Sequence, residues 1–175
     1  MSEEAMIENR VAKSPLITID LEDYYHKGER IEFDIAPNLY QGLILREADF
    51  RAFVKEHDWS QYQGKNVAVF CSEDAIVPTW AFMLLTTKLE GVANMVVMGD
   101  LQMLEFALYK EVLAQIDAES FLDKPVVIKG CGDLPVPDSA YVELTRLLKP
   151  YAKSIMYGEP CSTVPLYKKP RKPKN

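Results

Sequence analysis

The chain has little of what most often announces chemistry. Its 175 residues hold two histidines and three cysteines, and no CxxC or HxxxH spacing gathers them into a ready-made metal motif. Walker, GxGxxG, GxSxG and kinase-like motifs are all missing, which removes the sequence grounds for nucleotide binding and serine-hydrolase chemistry. No apolar run approaches the roughly 20 residues that a helix needs to cross a bilayer. The opening stretch, Met1 to Arg10, is acidic and polar where a secretory signal would be basic and then apolar. A cytoplasmic protein that does not engage a membrane is the expectation. In that reducing compartment three cysteines, an odd number, are not expected to build a structural disulfide.

Excess positive charge is lacking too. The net charge is -6, and Lys168, Lys169, Arg171, Lys172 and Lys174 all fall at the very end, so the body is more acidic than the whole. Such a body repels phosphate backbones, and nucleic acid is not an expected partner. With Pro170 and Pro173 between its charges, the stretch 168–175 reads as a disordered basic tail. The whole chain, at 48% hydrophobic residues, has apolar material for one sizeable core, and residues 1–167 are expected to form a single domain.

Present instead of motifs is a repeat. Residues 58–100 match residues 117–159 at a constant offset of 59, without a gap. Twelve of the forty-three pairs are identical, including Asp58/Asp117, Lys65/Lys124, Asp74/Asp133, Pro78/Pro137, Ala81/Ala140, Leu85/Leu144, Leu89/Leu148 and Gly99/Gly158. A shared hydrophobic rhythm does not require Pro, Gly, Asp and Lys to coincide. Their agreement points to a duplicated supersecondary unit.

Along the chain, strand candidates come first at Leu16 to Leu21, Ile31 to Ile35 and Leu43 to Arg46, the second alternating Ile31, Phe33, Ile35 inward with Glu32, Asp34 outward. Helical spacing follows in Ala48, Phe50, Phe53 and Val54. From Asn66 the rhythm is strand and helix in alternation: Val67 to Cys71, Met95 to Met98, Val126 to Lys129 and Ser154 to Tyr157 have the length and β-branched content of buried parallel strands. Pro78 and Pro137 suit the first turns of helices that reach Glu90 and Lys149, and a further helix is expected over Leu101 to Ile116. The fold expected is an α/β single-domain sandwich. Its mainly parallel sheet is built from two repeated strand-helix-strand units, and the N-terminal strands extend it at one edge with some antiparallel pairing.

In such a sheet, ligands gather beyond the carboxyl ends of the strands. Cys71, Cys131 and Cys161 all sit at those ends, with Asp74 and Asp133 in equivalent repeat positions and Asp100 and Glu159 likewise. Three thiolates at one edge suit zinc or iron, with Asp74, Asp133, Glu159, a water, His26 or His57 as a fourth ligand. The cysteines are not strictly equivalent, since Cys71 aligns with Gly130 and Ser72 with Cys131. A cysteine that ends a buried strand commonly serves as a small core hydrophobe. The loop sequences Gly130-Cys131-Gly132 and Glu159-Pro160-Cys161-Ser162 speak for exposure instead. Cys131 or Cys161 could equally act as a nucleophile in a thiol-dependent enzyme. Inert cysteines in a dimeric structural or adaptor protein are a third possibility. His57, at a helix end, is expected at the surface, and Trp80, Phe82, Met83 and Leu84 are expected to pack a helix.

The same residues carry a resemblance. Cys71-Ser-Glu-Asp-Ala-Ile-Val-Pro-Thr-Trp-Ala81, Lys124-Pro-Val-Val-Ile-Lys-Gly-Cys-Gly132 and Lys153-Ser-Ile-Met-Tyr-Gly-Glu-Pro-Cys-Ser-Thr-Val-Pro-Leu-Tyr-Lys168 resemble a small bacterial family known as domain of unknown function 2480. The likeness runs from Ile7 to Tyr167. It brings no biochemical activity, but it implies genes placed near those for iron-sulfur cluster assembly. Together these observations lead to the expectation of a metal-binding protein. It would hold zinc or iron through Cys71, Cys131 and Cys161, with Asp74 and Asp133 at hand. It would serve iron-sulfur or metal handling, with iron-sulfur assembly proteins or a second copy of itself as partners.

Overall fold

The computed structural model describes residues 16–130, 132–159 and 161–170, and strand and helix alternate in it from residue 30 to residue 159. In chain order these are β1 (Ile17–Ile19), β2 (Arg30–Asp34), α1 (Glu47–Glu56), β3 (Asn66–Phe70), α2 (Thr79–Leu89), β4 (Met95–Met98), α3 (Leu101–Leu113), β5 (Pro125–Ile128), α4 (Asp138–Leu148), β6 (Ser154–Glu159) and β7 (Ser162–Lys168). The chain divides into two compact units, one of residues 26–109 and the other of residues up to Tyr25 together with those from Lys110 onward. The chain passes between them twice, at Tyr25–His26 and within α3 at Tyr109–Lys110.

In the unit of residues 26–109, β2, β3 and β4 form a parallel sheet in that order, with Ile31 opposite Val67 and Val67 opposite Val96. The apolar run of β3 is buried on both faces, as its unbroken pattern requires. Val67 and Val69 pack among Phe33, Phe50, Val54, Ala81, Leu85 and Leu89, while Ala68 faces Leu104 and Leu108. Ala81, Leu85 and Leu89 recur every fourth residue, so α2 lays one stripe on the sheet. Each leucine so buried contributes roughly 1.5–3 kcal/mol.

The other unit repeats this plan. Its sheet runs β1-β5-β6-β7, parallel for the first three, with β7 antiparallel to β6. Ala140, Leu144 and Leu148 of α4 are buried in the same stripe. Residues 79–89 and 138–148 are helical at the offset of 59, and 3-10 turns stand at Trp59–Tyr62 and Ala118–Phe121. Even the loop hydrogen bonds recur. Gly64 N donates to Val92 O and Asp123 N to Tyr151 O; Asn94 N donates to Lys65 O and Lys153 N to Lys124 O. Gly64 and Asp123 both take positive φ, 69° and 55°, and so do Gly99 and Gly158, 142° and 119°.

An α/β architecture with mainly parallel strands and a repeated strand-helix-strand unit is thus observed, but several details depart from expectation. The strands divide between two sheets where one was expected, because β1 and β2 each join a different copy of the repeat. Both pair in parallel, and the antiparallel strand is β7 at the other end of the chain. Leu43 to Arg46 is no strand: Ile44 makes only isolated bridges to Tyr40 and Ile76. Pro78 and Pro137 cap their helices from just outside the first turn, in extended conformation, where each carbonyl still accepts from the amide three residues on. Met83 is exposed, although Trp80, Phe82 and Leu84 pack as expected. Lys168 closes β7, and Lys169 bonds Lys153 O through its amide and Asp123 through Nζ, so the fold reaches into the stretch read as a tail. Residues 171–175 lie outside the described residues.

Candidate functional site

In the unit containing β5 and β6, charged and aromatic groups converge beyond the carboxyl ends of the strands. Lys129 directly follows β5, and its Nζ lies 2.6 Å from Asp20 Oδ2, with both side chains partly buried. Asp20 follows β1, the neighbour of β5. Burial works against the charged carboxyl, but hydrogen bonds from Lys129 and Glu22 N, with the lysine's charge, hold Asp20 below the usual carboxylate range. Lys129 is pushed up by its bond to Asp20, against some desolvation, and by the charges of Asp20, Glu22 and Glu159. Tyr141 of α4 is raised as well, first by burial and then by Tyr157, Asp20, Glu22 and Asp138.

The loop after Lys129 is held at both ends. Tyr157 Oη donates to Gly130 O at 3.2 Å, and Glu22 accepts from Leu134 N. Its glycines permit close approach: a Cβ on Gly130 would stand 2.6 Å from the Tyr157 ring, and one on Gly132 would collide with the Glu22 carboxylate. Tyr157 and Tyr141 meet edge to face at 5.7 Å. Both border an open apolar depression of about 260 Å³ with Ile128, Val142, Thr145 and Leu166.

None of Asp20, Glu22, Lys129, Tyr141 and Tyr157 was singled out from the sequence. A signal was there. Ile17-Thr18-Ile19-Asp20-Leu21 and Ile31-Glu32-Phe33-Asp34-Ile35 share one pattern fourteen residues apart. Each opens a three-stranded parallel set and ends in a wholly buried Leu21 or Ile35. At the corresponding edge of the other unit, Asp34 accepts from Ser72 N at 3.0 Å, Ser72 Oγ at 2.6 Å and Ala36 N at 2.9 Å.

The expected ligands are distributed between the units. Cys71 and Asp74 follow β3; the half-buried Cys71 Sγ donates to Glu73 O at 3.6 Å. Asp133 and the exposed Cys161 follow β5 and β6, Cys161 at the tip of the β6–β7 hairpin, where Glu159 pairs with Ser162. Cys131 lies outside the described residues. Among the described residues no three His, Cys, Asp or Glu side chains are grouped to hold a metal ion. Both histidines are engaged elsewhere. His26 Nδ1 accepts from Gly28 N and meets the Asn66 amide, each at 3.1 Å, at the amino end of β3. His57 is no free surface group: its ring lies among Phe33, Phe53, Trp59 and Tyr62, and Nε2 is 2.9 Å from Tyr62 Oη.

A family model described as protein of unknown function (DUF2480) matches residues 5–169, nearly the whole chain. The chain belongs to the DUF2480 family. No curated protein and no solved structure matches it. The family's match takes in both units, and so covers both carboxyl-end edges. Among the described residues no helix is long and apolar enough to cross a membrane.

Proposed function

We propose that the edge beyond β5 and β6 is a soft-metal site for zinc or iron, with Cys131 and Cys161 as thiolate ligands and Asp133 as a carboxylate ligand. We propose for the protein an accessory part in cytoplasmic iron-sulfur or metal handling. What supports the site is the parallel pairing of β5 with β6, Ile128 opposite Tyr157, so that Gly130 after β5 and the hairpin bearing Cys161 after β6 leave the same edge. Paired strands lie about 4.8 Å apart, so the strands that lead to the two cysteines, three and four positions further along the sequence, end at neighbouring points. Two thiolates and a carboxylate are a donor set that both metals accept. Lys129 does not stand against it, since Asp20 already takes up its charge.

A nucleophilic Cys131 or Cys161 is the second reading, favoured by the exposure of the free Cys161 thiol at the hairpin tip. Elemental analysis of protein purified without a metal-affinity tag separates the two. The expected result is about one zinc or iron per chain, lost in Cys131→Ser and in Cys161→Ser. Metal-free protein in which one of these two cysteines alone alkylates rapidly replaces the metal reading with the nucleophile. Slow, equal labelling of metal-free protein removes both.

A further inference from the structure

The segments that leave the carboxyl ends of β2, β3 and β4 expose large apolar side chains. Beyond β2 stand Tyr40, Leu43 and Ile44, beyond β3 stands Ile76, 84% exposed, and β4 ends in Met98, 64% exposed. Backbone bridges tie Tyr40 to Ile44 and Ile44 to Ile76, so these belong to one surface. Exposed apolar residues scattered singly are ordinary; a set gathered on one edge marks an interaction surface. The same segments carry exposed Glu73, Asp74 and Asp100. The arginines beside them are engaged, Arg46 over the Tyr40 ring at 3.1 Å and Arg51 with Glu47 at 2.8 Å.

We propose that this edge docks a partner protein through a segment that combines apolar side chains with Lys or Arg. The apolar centre supplies the contact area, the exposed methionine adapts to the partner's shape, and the carboxylates favour a basic segment. A second copy of the chain would set an acidic rim against an acidic rim, which the charge pattern opposes.

The test is fluorescence anisotropy of the intact protein with two labelled amphipathic peptides, one of Leu and Lys and one of Leu and Glu. Two double variants, Ile44→Ser with Ile76→Ser and Glu73→Gln with Asp74→Asn, accompany the natural chain. All four positions are exposed, and an unchanged thermal midpoint checks that each variant folds. The Leu/Lys peptide is expected to bind the natural chain, to bind each double variant at least tenfold more weakly, and to weaken with salt; the Leu/Glu peptide is expected not to bind. No binding of the Leu/Lys peptide overturns the proposal. Undiminished binding by the Ile44/Ile76 variant does so too, since bare charge attraction would then suffice. A natural-chain dimer that this variant dissolves makes a second copy the occupant. Binding of phosphatidylcholine vesicles in place of either peptide makes it a membrane.

Discussion

Asp20 and Asp34 hold the same position in two copies of one architecture. Asp20 directly follows the first strand of one parallel set and Asp34 ends that of the other, and each accepts from the backbone amide two residues on, Glu22 N at 3.0 Å and Ala36 N at 2.9 Å. Their remaining partners differ. Asp20 takes the Lys129 ammonium, whereas Asp34 takes the amide and hydroxyl of Ser72. For Asp34 too, burial opposes the charge and hydrogen bonds from Ser72 and Ala36 outweigh it, leaving the carboxyl below its usual range. The turn is the same and what the carboxylate holds differs, a hydroxyl and an amide in one unit and the Lys129 ammonium in the other.

A depressed folded-state pKa stabilises fully above the unfolded carboxylate value of about 4 and is lost as pH falls through the folded value. Asp34→Asn is therefore expected to cost about 1–2 kcal/mol at neutral pH and progressively less in acid. Urea unfolding at pH 7 and pH 3 measures this. An equal cost at both would show that the charged form plays no part.

Gly99 and Gly158 share a positive φ that disfavours side chains, and each is also crowded. An added Cβ would lie 2.8 Å from Met103 Cβ at the first and 2.6 Å from Ser162 O at the second. Alanine at either is expected to cost about 1–3 kcal/mol. Gly64→Asp is the contrast, expected to cost under about 1 kcal/mol, because Asp123 already holds the matching conformation and nothing stands within 4 Å of a Cβ there. Denaturant midpoints of the three variants decide.

His57 closes an aromatic cluster, its ring centroid 4.7 Å from Trp59 and 4.9 Å from Phe53. His57→Ala is expected to destabilise by about 2–3 kcal/mol through lost packing and an unpaired Tyr62 hydroxyl, and His57→Phe by about half of that. Thermal unfolding followed by tryptophan fluorescence reads both. Equal losses would mean that ring packing at this position contributes nothing.

If Cys131 and Cys161 bind the metal, folding and binding are coupled. Serine at either is expected to lower the melting temperature of metal-loaded protein while leaving metal-stripped protein unchanged. Cys71→Ser serves as the control, expected to retain full metal content. Loss of metal in all three variants would restore the three-cysteine site; loss in none would end it.

Local features were legible along the chain because each is fixed within a short window. The stripes Ala81-Leu85-Leu89 and Ala140-Leu144-Leu148 dictate helices with one buried face. Punctuation at Pro78/Pro137 and Gly99/Gly158 fixes where those helices begin and where the strands end, and its recurrence at one offset made the duplication visible. The site was less legible. Lys129 is an ordinary strand-end lysine until β1 brings Asp20 beside it, and Tyr157 an ordinary strand tyrosine until its hydroxyl meets Gly130 O.

What the sequence alone determined is the repeated unit, its mainly parallel α/β character and the placing of cysteines and carboxylates beyond strand ends. Tertiary structure alone decided which strand pairs with which. β1 passes over β2, its neighbour in sequence, and pairs with β5, Ile17 opposite Val126, while β2 takes β3. Residues 17–21 and 31–35 have nearly the same pattern and would fit either place in local terms. Strand partners are chosen by burial of whole faces and by contacts distant along the chain, which no short window records. Two sheets in place of one follow from that choice, and so does the pairing of Asp20 with Lys129.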